Sequence, residues 1–260
     1  MNSFFSGIFR SAYVKLTGWL HTRWTGGLQA AYVVRSLNVR AAFRAQPPPE
    51  GARVLDAGCG EGAALAAVLA RRYPRVQFYA ADLFIQAQPG SPPNLRLLVH
   101  DVQKVLPEGS FYAVYSTDLL EHVEDPLGVL ANFYTALAPG GRLFLHTPAS
   151  SQFHYFESAL EGYRPSFRDT RPGDLHLREG FSGEEMKGML SGLGFTDIRL
   201  RRTFSPPVFF FKELYTIGER AGVPGTGILL LPFMLLFGTV ERLFPPRRGN
   251  GIWVEASKPS

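Results

Sequence analysis

Cysteine is almost absent: Cys59 stands alone among 260 residues. A disulfide framework is excluded, and so is any CxxC zinc or redox site. A reducing compartment agrees with that scarcity. Acids are missing from the first 49 residues, which carry Arg10, Lys15, Arg23, Arg35, Arg40 and Arg44 before Glu50 appears. The rest of the chain holds nearly equal numbers of bases and acids, so the positive excess is local. The opening MNSFFSGIFR lacks the basic stretch, apolar run and small-residue cleavage site of a secretory signal, so a cytoplasmic chain is expected. With 45% hydrophobic residues, collagen-like and largely disordered classes fall away, and the length suffices for a large α/β core.

Residues 1–49 read as a basic amphipathic helical arm. Phe5, Ile8, Phe9, Ala12, Tyr13, Leu16, Trp19 and Leu20 recur at helical spacing, with Arg10, Lys15 and Arg23 largely off that stripe. Such an arm suits an anionic membrane or nucleic acid, or it packs on its own domain. Pro47-Pro48-Pro49 punctuates, and a new domain starts at 50. Short apolar runs then alternate with helical stretches. Strands are predicted at 53–56, 76–81, 95–99, 112–116, 142–146, 195–201 and 251–256, and helices at 61–71, 126–138 and 182–193. That alternation predicts a Rossmann-like, seven-stranded, mainly parallel sheet with helices on both faces. The Pro-rich stretch 83–94 is too short for a full crossover helix. Two segments break the pattern. One is a substrate insertion at 148–181 carrying His154, Tyr155, Tyr163, Arg164, Arg168, His176 and Arg178; the other is a strongly apolar segment at 204–250.

The strongest chemical signal is Val54-Leu55-Asp56-Ala57-Gly58-Cys59-Gly60-Glu61-Gly62 at a strand-to-helix turn. Its glycines permit close backbone approach to a ligand. The GxGxG spacing differs from the pyrophosphate fingerprint, and Asp56 disfavours a phosphate while suiting an ammonium group. Asp82, at the end of the second strand, is placed to accept both hydroxyls of a ribose. His100-Asp101-Val102 follows the third strand, where an acid can accept from an adenine amino group. Ser116-Thr117-Asp118-Leu119-Leu120-Glu121-His122-Val123-Glu124-Asp125-Pro126 follows the fourth, and Leu137-Ala138-Pro139-Gly140-Gly141 leads into the fifth. In a doubly wound sheet these loops gather at the ligand-binding edge.

Together these motifs resemble the class I S-adenosylmethionine (SAM) dependent methyltransferases, within them the small-molecule group with LEHVxDP and LxPGG signatures. The resemblance covers residues 50–203 and the last strand. It implies that Asp56 and the backbone of Gly58, Cys59 and Gly60 hold the methionine end of SAM. Asp82 would bind the ribose, Leu83 would pack on adenine, and Asp101 and Val102 would bind its edge. Thr117 and Asp118 would line the methionine and the transferring methyl group. The protein must then align a nucleophile with the S–CH₃ bond. A hydroxyl acceptor needs a base, for which His122, His146, His154, Tyr155 and His176 are candidates; His176, His122 and Tyr155 are taken as catalytic. Arg178, beside His176, is expected to hold an anionic acceptor.

Asp118, Glu121 and His122, at i, i+3 and i+4, share one helical face and could converge on a cation, as in some quinone-pathway O-methyltransferases that carry similar motifs. The preferred reading is a helix start whose acids favour the dipole, with no metal expected. The loop Ser116-Thr117-Asp118-Leu119 departs from the Asp/Asn-Pro-Pro-aromatic loop of nucleic-acid amino methyltransferases, so no nucleic-acid partner is expected.

Residues 228–240 carry no charge, yet as a helix they span only about 20 Å, short of the ~30 Å hydrocarbon core. Pro232 argues further against a spanning helix. The segment 204–250 reads as an apolar helical cap: an acceptor lid, a monotopic membrane patch or an oligomer interface. Peripheral contact with the inner face of a membrane through 1–40 and 205–245 is expected, as is methyl transfer from SAM to a small or lipid-linked acceptor, with oxygen favoured. The alternatives are a quinone-pathway C- or O-methyltransferase, and a catalytically silent SAM-binding adaptor at a membrane.

Overall fold

The computed structural model describes residues 30–86, 88–106, 109–156, 176–223 and 225–260. The stripe from Phe5 to Leu20 and the insertion residues Tyr163, Arg164 and Arg168 lie outside them.

Runs of β-branched and aromatic residues between glycine and proline breaks become strands. These are β1 (Arg53–Ala57), β2 (Gln77–Asp82), β3 (Leu95–Val99), β4 (Phe111–Thr117), β5 (Leu137–Pro148), β6 (Thr196–Thr203) and β7 (Gly251–Ser257). They form one sheet in the order β3-β2-β1-β4-β5-β7-β6. The strands from β3 to β5 pair in parallel, and β7 is antiparallel to both neighbours. The chain winds outward in opposite directions from β1 and β4, so the crevice between their C-terminal ends is the switch point where ligands bind.

Period-two alternation along each strand selects the face. On one face Leu55, Tyr79, Leu143 and Val254 pack under α3 (Pro126–Ala136) and α4 (Gly183–Gly192). Both helices start on designed caps. Asp125 accepts from Gly128 N–H with Pro126 in the first turn, and Ser182 and Glu185 form a capping box. On the other face Val54, Phe78, Tyr115, Phe144 and Trp253 pack under α1 (Ala30–Ala45) and α2 (Ala64–Arg72).

The apolar segment forms two helices, α5 (Pro206–Arg220) and α6 (Thr226–Leu243). Phe204, Val208, Phe209, Leu231 and Met234 pack on Val33 and Val34 of α1. Glu241, buried on α6, accepts from the backbone N–H of Phe204 and Ser205 and so caps the start of α5. Strand five begins at Leu137, earlier than predicted. Its pairing with β4 slips between Phe111 and Ala113, so the Pro-Gly-Gly stretch is drawn into the strand. Helix α2 begins three residues late because Ala63 takes φ 44.

Helix α1 is thus a structural part of the domain. Phe43 is fully buried and makes edge contacts with Tyr115 at 5.9 Å and Phe144 at 5.6 Å. Replacing Phe43 with alanine should destabilise the protein by about 3–5 kcal/mol. Urea denaturation monitored by tryptophan fluorescence would show it as a lower midpoint. A loss below about 1 kcal/mol would mean that α1 detaches from the sheet at little cost.

Candidate active site

Asp56 shares the Val54 face of β1, so alternation turns its carboxylate inward beneath α1. It has no exposure, and among the described residues no full hydrogen bond reaches either carboxylate oxygen, although the Tyr115 hydroxyl and the Ala66 backbone stand close by. Burial pushes its pKa up to about 8; the Tyr115 hydroxyl opposes the rise and the charge of Asp82 adds to it. Tyr32 of α1 stands over the same space, its hydroxyl 3.3 Å from Thr117 Oγ1. Its own hydroxyl is pushed well up by burial first and by Asp56 next.

The turn after β1 is glycine for two different reasons. Gly58 and Gly60 both have φ +72, but a Cβ on Gly58 would lie 2.7 Å from Leu119 Cδ1, so the loop after β4 needs that position bare. A Cβ on Gly60 would meet nothing within 4 Å, which leaves the outer side of the turn open. Asp82 ties the turn to β2, accepting from Gly60 N–H at 2.9 Å and Phe84 N–H at 3.0 Å. Each oxygen keeps a lone pair for a ribose hydroxyl. Leu83 and Phe84 are about half exposed beside it. Asp101 accepts from Gln103 N–H at 3.0 Å, while the Val102 side chain sits in the core and leaves its backbone at the edge. Cys59 is buried, and burial followed by the charges of Asp56 and Asp82 pushes its thiol up, so it packs as a neutral small side chain.

The edge of the crevice after β4 is organised by Asp118, a non-glycine residue at φ 52. Its backbone N–H donates to His146 C=O at 2.9 Å. Its side chain meets Arg35 Nε at 2.5 Å and His146 Nδ1 at 2.6 Å. Burial opposes ionisation, yet Arg35, His146 and His122 together hold the carboxyl well below the usual carboxylate range. His146 in turn reaches Thr203 Oγ1 of β6 at 3.0 Å. A buried base with both ring nitrogens engaged is a positioning group, not a proton acceptor for substrate.

Next to Asp118, the turn at Leu120–His122 and the loop at His176 bring two predicted bases together. The His122 and His176 rings meet edge to face at 4.4 Å. His122 Nδ1 is shielded from solvent and has no hydrogen-bond partner among the described residues. Glu121 is buried, and burial together with the charge of Asp118 pushes its pKa well up. Glu121, His122 and His176 offer three ligand atoms within 4.8 Å of one another and are the described group able to hold a cation. The trio spaced in the sequence, Asp118, Glu121 and His122, is divided: Asp118 is committed to Arg35 and His146.

The remaining candidates lie elsewhere. His154 Nδ1 is 2.8 Å from buried Glu213 of α5, which also accepts from Tyr155 N–H at 2.8 Å. Tyr155 is 47% exposed, and its ring touches Phe153 and Phe210. It belongs to the cap, apart from the histidine pair. Arg178 donates from one nitrogen to the carbonyls of Val123 and Glu124 and lies over Phe181, which braces the loop, while its Nε has no hydrogen-bond partner among the described residues. The sequence reading missed Tyr32 and Arg35, which it counted in the arm, and Lys212. Burial lowers Lys212 to about 8, with Arg35 adding while Glu213 and Asp118 oppose. The available signal was Arg35 itself, the single charge in the stretch 30–39.

An orphaned buried carboxylate, an open glycine turn and an acid ending β2 fit the ammonium and ribose of SAM. With the sheet order, they define the class I SAM-dependent methyltransferase fold. The comparisons agree: a methyltransferase-domain family model matches residues 29–200, and the chain belongs to that family. It is 31% identical over 162 residues to trans-aconitate 2-methyltransferase of Deinococcus radiodurans, covering 56% of this chain and 59% of that protein. It is 39% identical over 151 residues to ubiquinone biosynthesis O-methyltransferase of Xanthomonas campestris pv. campestris, covering 54% of this chain and 61% of that protein. The chain thus spans less than two thirds of either relative. Among solved structures, phosphoethanolamine N-methyltransferase 2 of Haemonchus contortus, with bound S-adenosyl-L-methionine, superposes with a TM-score of 0.56. It is 19% identical, over 86% of this chain and 53% of that one.

Because Asp56 is protonated at pH 7 and an ammonium partner favours its ionised form, SAM binding should release close to one proton at that pH. Calorimetry in buffers of different ionisation enthalpy measures this directly. Asp56→Asn should bind SAM at least about tenfold more weakly and release none. Full affinity in the variant would exclude Asp56 as the ammonium's partner.

Proposed function

We propose that this chain transfers a methyl group from SAM to a hydroxyl of a small or lipid-linked acceptor, in the cytoplasm at the inner face of a membrane. The observation that carries the reading is the His122–His176 pair beside Asp118, with a shielded and unpartnered ring nitrogen on His122. When bound, SAM supplies an electrophilic methyl on sulfur. Asp56 orients the methionine ammonium, and Asp82 the ribose. Arg35 and His146 fix Asp118 so that the wall of the site keeps its charge and shape. His122, paired with His176, takes the proton from the acceptor hydroxyl, and Glu121 lies 4.0 Å from His122 Nε2, with burial and Asp118 pushing that carboxyl up. A quinone-type acceptor is the second reading, favoured by the ubiquinone O-methyltransferase relative.

The cap supports an amphipathic acceptor. Leu229, Phe233, Leu236, Val240 and Leu243 are all exposed and recur every three or four residues along α6, and exposed Phe244 follows at its C-cap. The opposite side of α6, with Leu231, Met234, Gly238 and Glu241, is buried. The helix is long and apolar enough to pass as a span, but its 18 residues reach about 27 Å and Glu241 fastens it to α5. It suits lying flat in an interface. Phe233 stacks on Phe211 at 4.9 Å, Phe211 meets Phe210 at 5.4 Å, and Phe210 meets Tyr155 at 5.4 Å. This row of rings joins the exposed stripe to the His154–Glu213 end of the cap.

Titration with SAM and S-adenosylhomocysteine should give micromolar binding, and no binding would end the assignment. In a screen of hydroxyl-bearing lipid and glycolipid extracts, His122→Asn should lower kcat about 10²–10⁴-fold while leaving SAM affinity intact. Unchanged turnover in that variant would remove the base. Flotation with phosphatidylcholine–phosphatidylglycerol liposomes should carry the intact chain upward, and Leu236→Ser with Leu243→Ser should weaken it at least tenfold. Wild-type protein left at the bottom of the gradient would refute membrane contact but not methyl transfer.

A further inference from the structure

We infer that a second site, separate from the methyl-transfer site, binds a phosphate group between α1 and the β5–β7–β6 end of the sheet. The alternation that lays Phe144 and Trp253 under α1 also places Arg142 of β5, Glu255 of β7, and Arg199 and Arg201 of β6 on that face. Large side chains on α1 would close the space, but the helix presents Ala41, Ala42 and Ala45 there. A cavity of about 220 Å³ remains, and Arg242 of α6 completes its wall. Arg142 lies four residues before His146 along β5, about 13 Å away. Arg201 stands level with His146 two strands away, across Trp253, so the cavity lies beside the Asp118 site with Phe144 and Trp253 between them.

Four guanidinium groups face one carboxylate. Glu255 is already engaged: it accepts from Trp253 Nε1 at 2.8 Å and lies 3.7 Å from Arg142. Arg201 donates to Asn38 Oδ1 at 2.5 Å, and Arg142 donates to Gln46 Oε1. Arg201 Nη1 and Arg242 Nε remain shielded from solvent with no hydrogen-bond partner among the described residues. Burial and then the neighbouring Arg242 lower Arg201, with Glu255 and Glu241 only partly opposing, which registers the cost of holding like charges away from water. A bound anion removes that cost. Forks arriving from β5, from β6 and from α6 match an oxyanion with acceptors in several directions, and a phosphate offers these. A planar carboxylate would engage one fork and leave the others unmet. The phosphate comes either from a soluble phosphomonoester or from a lipid headgroup; Arg242 is followed on α6 by exposed Leu243 and Phe244, so either source can reach the cavity.

The test uses the full chain at constant ionic strength, because open sites are screened by salt. Inorganic phosphate and glycerol 3-phosphate are titrated calorimetrically, alongside phosphatidylcholine vesicles with and without phosphatidic acid. Saturable binding of at least one phosphate probe is expected. Arg199→Gln, at the exposed mouth, and Arg201→Gln should each weaken it at least tenfold. Neither variant should alter SAM affinity, and Arg199→Gln without phosphate should melt no lower than wild type because one like charge is gone. Binding confined to phosphatidic acid vesicles would assign the lipid source, and equal binding of soluble esters the free one. The site is refuted if no probe binds above a chloride control, or if both variants bind as tightly as wild type.

Discussion

The carboxylate of Asp118 is where the pieces of this molecule meet. Arg35 brings α1 to it, His146 brings β5, and Thr203 brings β6 through the histidine. Its own backbone stands in a left-handed conformation that a non-glycine residue holds only when its surroundings impose it. Removing one partner would leave a buried charge unmet, which costs several kcal/mol where an exposed pair would cost almost nothing. The cap depends on the same node. Phe204 follows Thr203, its ring lies against His146, and its N–H is held by Glu241 of α6. The cofactor loops, the acceptor wall and the apolar helices are thereby fixed relative to one another.

The two buried acids of the site sit in opposite environments. Burial drives Asp56 toward its neutral form, while Arg35 beside Asp118, with His146 hydrogen-bonded to it, holds that carboxyl ionised. Groups pushed apart in this way take different roles within one cavity. An acid without a partner awaits one, and the ammonium of a bound amino-acid moiety is the missing cation. An acid already paired is a fixed part of the wall. In the proposed function this difference separates a cofactor end under α1 from an acceptor end under the cap. The histidine pair stands at the acceptor end.

Much of this was legible in the sequence because it is written in local chemistry. Alternating apolar runs gave the strands, and the GxGxG turn with Asp82 placed the cofactor end. The stretch after β4 reads as lining the methionine and the transferring methyl group. What stayed hidden was long-range pairing. Arg35 read as one more base of a polar arm, since nothing near it in sequence reveals that Asp118 lies across the fold, 83 positions away. His176 and His122 could be listed as candidates, but only the fold sets their rings 4.4 Å apart. Arg178 had the composition of an anion site and serves as a brace, because two backbone carbonyls claim it.

The family match ends at residue 200, and the cap begins at 204. Strands β1 to β5 and the cofactor turn thus lie inside the match, while α5, α6 and β7 lie beyond it. A fold of this kind carries many reactions on one scaffold, and the acceptor is chosen by what is grafted above the strand ends. Here that addition is aromatic, apolar and exposed along one helix, with Lys212 and Glu213 on its inner side. Such a surface is costly to leave in water. Covering it with an apolar surface would remove that cost, which is why the proposed acceptor is amphipathic.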